Sequence, residues 1–185
     1  GPFSELLEDH IRINAKDLNL TFVNNPVYTE TNYIYSMYIA REHLNDDILL
    51  LHGDIVLEPS VINDLLYSKQ SVVTVDSMLP LSEKDFKAKL KDGKIISIGI
   101  EFYGEDCVSC QPAYKWTKDD FTTWINEIEV FCERGDTGVY AENAFNCISE
   151  HVNLFPLELN KRLCNEIDNI HDLEIISEKF RRILM

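Results

Sequence analysis

The sequence predicts an α/β domain in which helices cover both sides of a mostly parallel central sheet. A hydrophobic run, Ile48 to Leu51, leads directly into His52-Gly53-Asp54, as expected of a buried strand that carries an acid to its carboxyl end. A helical segment and a second apolar strand follow, which is the order of a parallel βαβ unit. The chain has 185 residues, 45% of them hydrophobic, enough for one domain over residues 1–185 with its own core.

Hydrophobic periodicity in the first quarter of the chain predicts two helices and one strand. Phe3 to Ile13 repeat apolar side chains at helical spacing, with acids on the opposite face. Leu18 to Val23 alternate like a strand and stop at the turn-forming sequence Asn24-Asn25-Pro26. A second helix is predicted from Tyr33 to Leu44, capped by Asn32.

The middle of the chain changes from helical to strand periodicity. Ser60 to Ser68 predict a helix and Ser71 to Val75 a buried strand. From Phe86 to Ile100 the apolar residues alternate on both sides of Lys91-Asp92-Gly93, which indicates a small β-hairpin added to the main sheet. Gln111 to Trp116 form one more predicted strand.

The last third of the chain is mainly helical. Thr117 is the expected N-cap of a helix whose first turn contains acids. Two further helices are predicted, Val139 to His151 and Ile170 to Leu184, with an extended segment from Val152 to Leu159 between them. No internal repeat, low-complexity tract or linker interrupts this order.

Composition excludes some partners. The formal net charge of −15 argues against nucleic acid and anionic membranes, because like charges repel within a Debye length of about 10 Å. No run approaches the roughly 20 apolar residues that span a bilayer. Five scattered cysteines favour a reducing compartment, so we expect a cytoplasmic protein. Cys107 and Cys110 have the spacing of half a zinc site or a redox motif, or are ordinary reduced thiols.

Two acids are candidates for metal binding, and each has a second interpretation. Asp54 ends the central strand, where a divalent cation would fit, but an acid at that place is also a common turn or helix cap. Asp168 precedes the last predicted helix and is equally suited to cap it. His52, before the first acid, is expected to be packed rather than catalytic.

Several strings, in this order, carry a resemblance to a known family: Asn25 to Ser36, the strand ending at Asp54, Tyr114 to Asp120, Tyr140 to Ala144, and Asn165 to Leu173. Together they resemble the nucleotidyltransferases, in particular the branch with phosphocholine cytidylyltransferase and its relatives acting on aminophosphonates and sugar phosphates. The resemblance implies a Rossmann-like, three-layer fold similar to that of the A-type glycosyltransferases. A glycosyltransferase itself would carry an Asp-x-Asp motif, and His52-Gly53-Asp54 lacks the first acid.

The resemblance also implies an activity. Asp54 and Asp168 would hold Mg²⁺, with Glu166 as a third ligand, while a nucleoside monophosphate passes from a triphosphate, CTP being favoured, to a phosphorylated small molecule such as phosphocholine, an aminophosphonate or a sugar phosphate. Pyrophosphate would leave. Oxygen ligands and phosphate neutralisation suit Mg²⁺. The alternative is a non-catalytic module of the same fold that binds a nucleotide or a protein.

The acceptor pocket of this family corresponds to six further residues here. The resemblance assigns substrate contacts to Asn32, Ser36, Tyr114, Trp116, Tyr140 and Glu142. Aromatic rings and an acid would suit an ammonium head group through cation–π attraction, and a sugar would stack on them as well. Tyr114 and Trp116 have a second interpretation as core residues of a strand, and Asn32 as a helix cap.

One part of the family pattern has no match. Its members open with a strand and a Gly-x-Gly-x-Arg loop, followed by Pro-Lys, that hold the triphosphate, and nothing in this sequence resembles them. We therefore expect that about 50 residues of a usual domain lie outside this sequence. A strand from another segment or a second copy would then complete the sheet, and these 185 residues by themselves would be inactive.

Overall fold

A computed structural model describes residues 1–183. The helices are α1 (Ser4–Asn14), α2 (Tyr33–Ala40), α3 (Pro59–Tyr67), α4 (Lys118–Glu133), α5 (Ala141–Ile148) and α6 (Ile170–Ile183), and a short 3₁₀ turn follows α2. The strands are β1 (Ile48–Leu51), β2 (Ile55–Leu57), β3 (Ser71–Asp76), β4 (Lys87–Lys91), β5 (Lys94–Gly99), β6 (Cys107–Trp116), β7 (Leu154–Glu158) and β8 (Cys164–Glu166).

The long strand β6 organises the main sheet. One of its edges pairs with β3 along most of its length, and β3 pairs in turn with β7. The opposite edge of β6 is shared, because β4 pairs with its first residues and β1 with its last four, Ala113 to Trp116. The hairpin partner β5 completes the sheet beside β4. Strands β2 and β8 form a separate two-stranded ribbon.

The prediction of a mostly parallel sheet holds for strand direction and is wrong for strand pairing. Strands β1, β3, β4 and β7 run one way, and β5 and β6 run the other. Among the described residues, β3 with β7 is the only parallel pair of the main sheet. The predicted βαβ unit has its two strands in the same direction, but β6 lies between them and pairs antiparallel with both. Sequence order cannot reveal that a strand from later in the chain lies between the two strands of the unit.

Helices cover both faces of the sheet, as predicted. Along β6, successive side chains point to opposite faces, so Tyr114 and Trp116 enter the core beneath α2, α4 and α5, while Ala113 faces α3. The aromatic core of the first face consists of five residues that are at most 1% exposed: Tyr114, Trp116, Phe121, Trp124 and Phe145. The smaller face is aliphatic, with Val61 and Leu65 of α3 against Val72.

The hairpin prediction is confirmed in detail. Lys91 pairs with Lys94, which leaves Asp92 and Gly93 as a two-residue turn. Both turn residues have positive φ, 52° and 77°, as a type I′ turn requires. Burial alternates less cleanly than the sequence suggests, because Lys87 is itself buried and its ammonium donates to the carbonyl oxygen of Asp85.

Other boundaries differ from the predictions. No strand forms over 18–23, where Leu18 and Val23 are exposed and no described strand runs alongside to provide hydrogen bonds. Strand β8 was not predicted, because three residues with one apolar side chain give no periodic signal. Helix α5 is shorter than predicted. Of the last predicted helix, Leu184 lies outside the described residues.

Candidate active site

The ribbon of β2 and β8 brings together acids that are far apart in the sequence. Ile55, directly after Asp54, pairs with Glu166. One step further along the ribbon, the amide of Ile167 donates to the carbonyl oxygen of Asp54 at 2.9 Å. Asp168 follows immediately. Backbone pairing therefore fixes Asp54 beside the Glu166–Asp168 segment, even though the like-charged carboxylates repel one another.

The side chains of these acids border one cavity of about 260 Å³ at the end of the ribbon. The acid cluster, defined as Asp54, Glu166 and Asp168, lines it together with Asp85. The remaining lining residues are Tyr33, His52, Lys84, Phe86, Ile100 and Tyr140. The structure thus brings together all three residues that the sequence proposed as metal ligands, and it surrounds them with aromatic rings.

Repulsion within the acid cluster affects the pKa of Asp168. Although Asp168 is exposed, the desolvation that the cavity wall imposes on this carboxyl raises its pKa above the ordinary value, and the nearby charges of Glu166 and Asp54 raise it further. Such mutual repulsion favours any cation that enters the cavity. Lys84 is the one cationic side chain among the described lining residues.

The donor set fits a metal ion. His52, Asp54 and Glu166 each offer a ligand atom, and these atoms all lie within 4.8 Å of one another. Carboxylate oxygens are the ligands that Mg²⁺ prefers, and a nitrogen ligand extends the range of cations that the set can bind. Asp168 is outside this trio but lines the same cavity.

Two of the predicted acceptor residues lie at cavities. Tyr140 borders the acid cluster's cavity, where its ring meets Phe86 edge-to-face at 5.0 Å. Ser36 lines a different, more apolar cavity along α2 and β1, and its hydroxyl accepts from the Asn25 side-chain amide at 3.1 Å. His52 and Asp54 border this second cavity as well, so both Tyr140 and Ser36 line cavities that Asp54 reaches.

Three other acceptor predictions are corrected by burial. Tyr114 and Trp116 are 0% exposed and stack on each other with ring centres 6.0 Å apart, so they offer no surface to a substrate. Glu142 is also buried and accepts hydrogen bonds from the hydroxyls of Tyr33 and Tyr114, the latter at 2.7 Å. The competing interpretation of the two rings as core residues is the one that the structure supports.

Asn32 also takes its alternative role. Its side-chain oxygen accepts from the amide of Tyr33 at 2.7 Å at the start of α2, and it borders none of the cavities described. Its backbone amide donates to Thr137, which ties the helix start to the loop before Tyr140.

Sequence reasoning missed six of the ten residues that line the cavity, among them Lys84 and Ile100. Tyr33 belonged to a matched string but was not proposed as a site residue, although its ring borders the acids. Asp85 and Phe86 precede the hairpin and have no signal in the sequence that marks them as cavity residues. His52 was expected to be packed. Its ring does pack edge-to-face on Tyr33 at 4.8 Å, and it also faces Glu166.

The cysteines do not form a site. Cys107 and Cys110 are buried free thiols, and the metal-capable cluster of the described residues contains neither. Burial raises the pKa of both thiols, so they are poor nucleophiles. No described helix is both long and apolar enough to cross a bilayer.

Comparison with known proteins supports the fold. No protein-family model matches the chain. A stretch of 68 residues, 32% of the chain, is 42% identical to the CMP-5'-(3-aminopropyl)phosphonate synthase of Streptomyces rubellomurinus. The match spans 11% of that curated relative, so the chain corresponds to only a small part of it.

Solved structures match over most of the chain. The CTP:phosphocholine cytidylyltransferase of Streptococcus pneumoniae superposes with a TM-score of 0.72, covering 94% of this chain and 75% of that chain at 17% identity. The inositol-1-phosphate CTP transferase of T. maritima gives 0.70, covering 92% and 68% at 17% identity. A UDP-glucose pyrophosphorylase complexed with UDP-glucose gives 0.67, covering 98% and 73% at 13% identity. The chain has the nucleotidyltransferase fold, and the predicted α/β class is confirmed.

Proposed function

We propose that this chain forms the metal- and acceptor-binding part of a nucleotidyltransferase that moves CMP from CTP to a phosphorylated or phosphonylated small molecule and releases pyrophosphate. The observation that carries the proposal is the convergence of Asp54, Glu166 and Asp168 in one cavity of a nucleotidyltransferase fold. The partial match to a CMP-aminophosphonate synthase supports cytidine as the nucleoside. We propose a cytoplasmic location for the chain, because its cysteines are free thiols and four of the five are buried.

The acid cluster would hold the divalent cation, which the resemblance implies is Mg²⁺. When bound, such a cation neutralises phosphate charge and polarises the phosphorus that is attacked. The contribution of this chain's own residues is to position the metal and the substrates. The β2–β8 ribbon fixes the carboxylates, and no protein nucleophile is needed for an in-line displacement between two phosphates.

The cavity favours an acceptor that carries a positive charge. Four carboxylates and the rings of Tyr33, Phe86 and Tyr140 border it. An ammonium group gains from the carboxylates and from the aromatic faces, each ring contributing about 0.5–2 kcal/mol. We propose a phosphorylated amine, such as phosphocholine or an aminophosphonate, ahead of a sugar phosphate. Lys84 borders the same cavity, and its ammonium group would pair with the acceptor's phosphate.

The triphosphate needs more positive charge than this cavity supplies. With Lys84 as the one cation among the described lining residues, the acids would repel CTP unless a metal intervenes. We propose that a further basic segment, from the same polypeptide or a second copy, completes nucleotide binding. The isolated chain should then bind the acceptor yet release no pyrophosphate from CTP.

A calorimetric titration tests acceptor binding. Phosphocholine should bind the chain about 10-fold more tightly than 3,3-dimethylbutyl phosphate, which has the same shape and a neutral head group. Phe86→Leu should reduce that preference about 3-fold or more, whereas Phe22→Leu, outside the cavity, should not change it. Equal affinity for the two ligands would contradict the cationic acceptor.

A titration with CTP and a divalent cation separates an enzyme from a non-catalytic module. Metal-dependent CTP binding that Asp54→Asn weakens about 10-fold or more supports the nucleotidyltransferase. Glu105→Gln is the control, because it removes one negative charge at an exposed place outside the cavity. CTP binding that is indifferent to both the metal and Asp54 would favour the module.

A further inference from the structure

His52 stands next to the acid cluster and is not an acid. It lies in the turn between β1 and β2, two residues before Asp54. Its Nδ1 atom is 3.4 Å from Oε1 of Glu166, and its side chain is 17% exposed. Its other ring nitrogen, Nε2, is buried and has no hydrogen-bond partner among the described residues.

Packing fixes the imidazole without using its nitrogen atoms. The ring meets Tyr33 edge-to-face at 4.8 Å and Phe86 at 6.5 Å. Neither contact accepts or donates through nitrogen. A histidine that served only the core would be expected to pair its nitrogens with backbone groups. Here Nδ1 is instead directed at the carboxylate of Glu166, and the two aromatic contacts hold the ring in that orientation.

The distances fit a shared ligand set. Bond lengths of about 2.0–2.1 Å place neighbouring octahedral ligand atoms about 3 Å apart and opposite ones about 4.2 Å apart. The ligand atoms of His52, Asp54 and Glu166 lie within 4.8 Å of one another. An ion would draw them inward by about half an ångström, which a side-chain adjustment provides.

We propose that His52 is a metal ligand and that, with Asp54 and Glu166, it makes a mixed nitrogen–oxygen site that prefers a transition metal such as Mn²⁺ or Co²⁺ to Mg²⁺. The inference rests on the proposed function for the presence of a metal and adds its identity. Mg²⁺ is bound through oxygen and gains little from imidazole, whereas the affinity of nitrogen-containing sites rises from Mn²⁺ to Co²⁺.

The competing interpretation is a plain ion pair between a protonated His52 and Glu166. That pair would give the site no nitrogen ligand, and an entering cation would have to displace the positive ring. The two interpretations differ in what a bound ion experiences. Only the ligand hypothesis predicts a bond between the metal and an imidazole nitrogen.

Two measurements on the metal-free chain test the inference. Calorimetry at neutral pH should give an affinity for Mn²⁺ or Co²⁺ at least 10-fold higher than for Mg²⁺. Pulsed electron paramagnetic resonance of bound Mn²⁺ should show nitrogen modulation from a coordinated imidazole. His52→Phe, which keeps a ring against Tyr33 and Phe86, should abolish the modulation and weaken Mn²⁺ binding about 10-fold or more while changing Mg²⁺ binding less than about 3-fold.

Controls keep the outcomes separate. His52→Gln serves if the phenylalanine variant does not fold, and His151→Gln, at an exposed position outside the cavity, should leave both readouts unchanged. Mn²⁺ binding without nitrogen modulation, or equal affinity for Mg²⁺, would overturn the role of His52 and leave the proposed metal in place. Failure of the wild-type chain to bind any of the three cations would overturn both.

Discussion

The acid cluster and the aromatic core contribute to the stability of the fold in opposite ways. In the core, Trp116 and Trp124 stand with ring centres 4.8 Å apart among other aromatic and aliphatic side chains, so their packing stabilises the fold. In the cavity, carboxylates repel one another and are held in place by the backbone pairing of β2 with β8. The comparison teaches that the packing of helices against β6 stabilises the fold, whereas a short two-stranded ribbon holds mutually repelling acids at the site.

Substitution in the aromatic core should have the largest effect on stability. Trp116→Ala and Trp124→Ala should each lower the free energy of unfolding by about 3–5 kcal/mol, because each leaves a cavity in a closely packed region. Chemical denaturation followed by circular dichroism measures this. Tyr67→Ala, at an exposed position, is the control and should stay within about 0.5 kcal/mol.

The same two tryptophans allow a finer comparison. Trp124 donates its indole N–H to the carbonyl oxygen of Ala141 at 3.0 Å, whereas the indole nitrogen of Trp116 has no described partner. Trp124→Phe should therefore cost about 1 kcal/mol more than Trp116→Phe, which removes an unsatisfied polar atom. Equal losses in denaturation would mean that the Trp116 nitrogen is hydrogen-bonded in solution.

High pH should unfold the core through its tyrosines. Burial, reinforced by the charge of Glu142, raises the pKa of the Tyr114 and Tyr33 hydroxyls well above 10.0. The unfolded chain loses these protons first, so the stabilisation is complete below pH 10 and is lost as the pH rises toward the folded-state pKa. Absorbance titration should show exposed tyrosines ionising first and these two only as the protein unfolds.

A matched variant sharpens the pH experiment. Tyr114→Phe should make the free energy of unfolding less dependent on pH above 10, and Tyr67→Phe, at an exposed position, should not. If all tyrosines titrate together in the folded protein, the buried pair with Glu142 does not persist in solution.

Substitution in the acid cluster should stabilise the folded chain, whereas substitution in the aromatic core destabilises it. Desolvation by the cavity wall and the charges of Glu166 and Asp54 raise the pKa of Asp168, so its ionised form opposes folding at neutral pH. Because water screens an exposed carboxylate, Asp168→Asn should increase the free energy of unfolding by only about 0.3 kcal/mol or less, while weakening metal binding. Glu105→Gln removes the same charge elsewhere and should give a smaller gain. A loss of stability would contradict the repulsion.

Substitution of the exposed cysteine should have the smallest effect on stability, and thiol labelling detects it. Cys147 is exposed, and Cys107, Cys110, Cys132 and Cys164 are buried. A thiol reagent should modify one cysteine quickly in the folded protein and all five after denaturation. Cys147→Ser should remove the fast phase without changing stability measurably, and a second fast thiol would show that the sheet opens.

Much of the architecture was predictable from short stretches of sequence. The hairpin follows from Asp92-Gly93 between alternating residues, and the start of helix α4 from Thr117 at the N-cap position and the acids of the first turn. The three acids of the cluster were found because a strand end and a family-like string marked them. Asp85, Phe86 and His52 had no such mark, because only the folded chain places them at the cavity.

The sequence by itself determined where helices and turns form, which residues are apolar enough for a core, and which acids are candidates for a cation. Tertiary structure alone decided that β6 inserts between β1 and β3, that Ile55 pairs with Glu166, and that Tyr114 is buried while Tyr140 borders the cavity. Local propensity is set by neighbours along the chain. Strand partners and the choice of buried face depend on contacts between distant segments, which have no local signature.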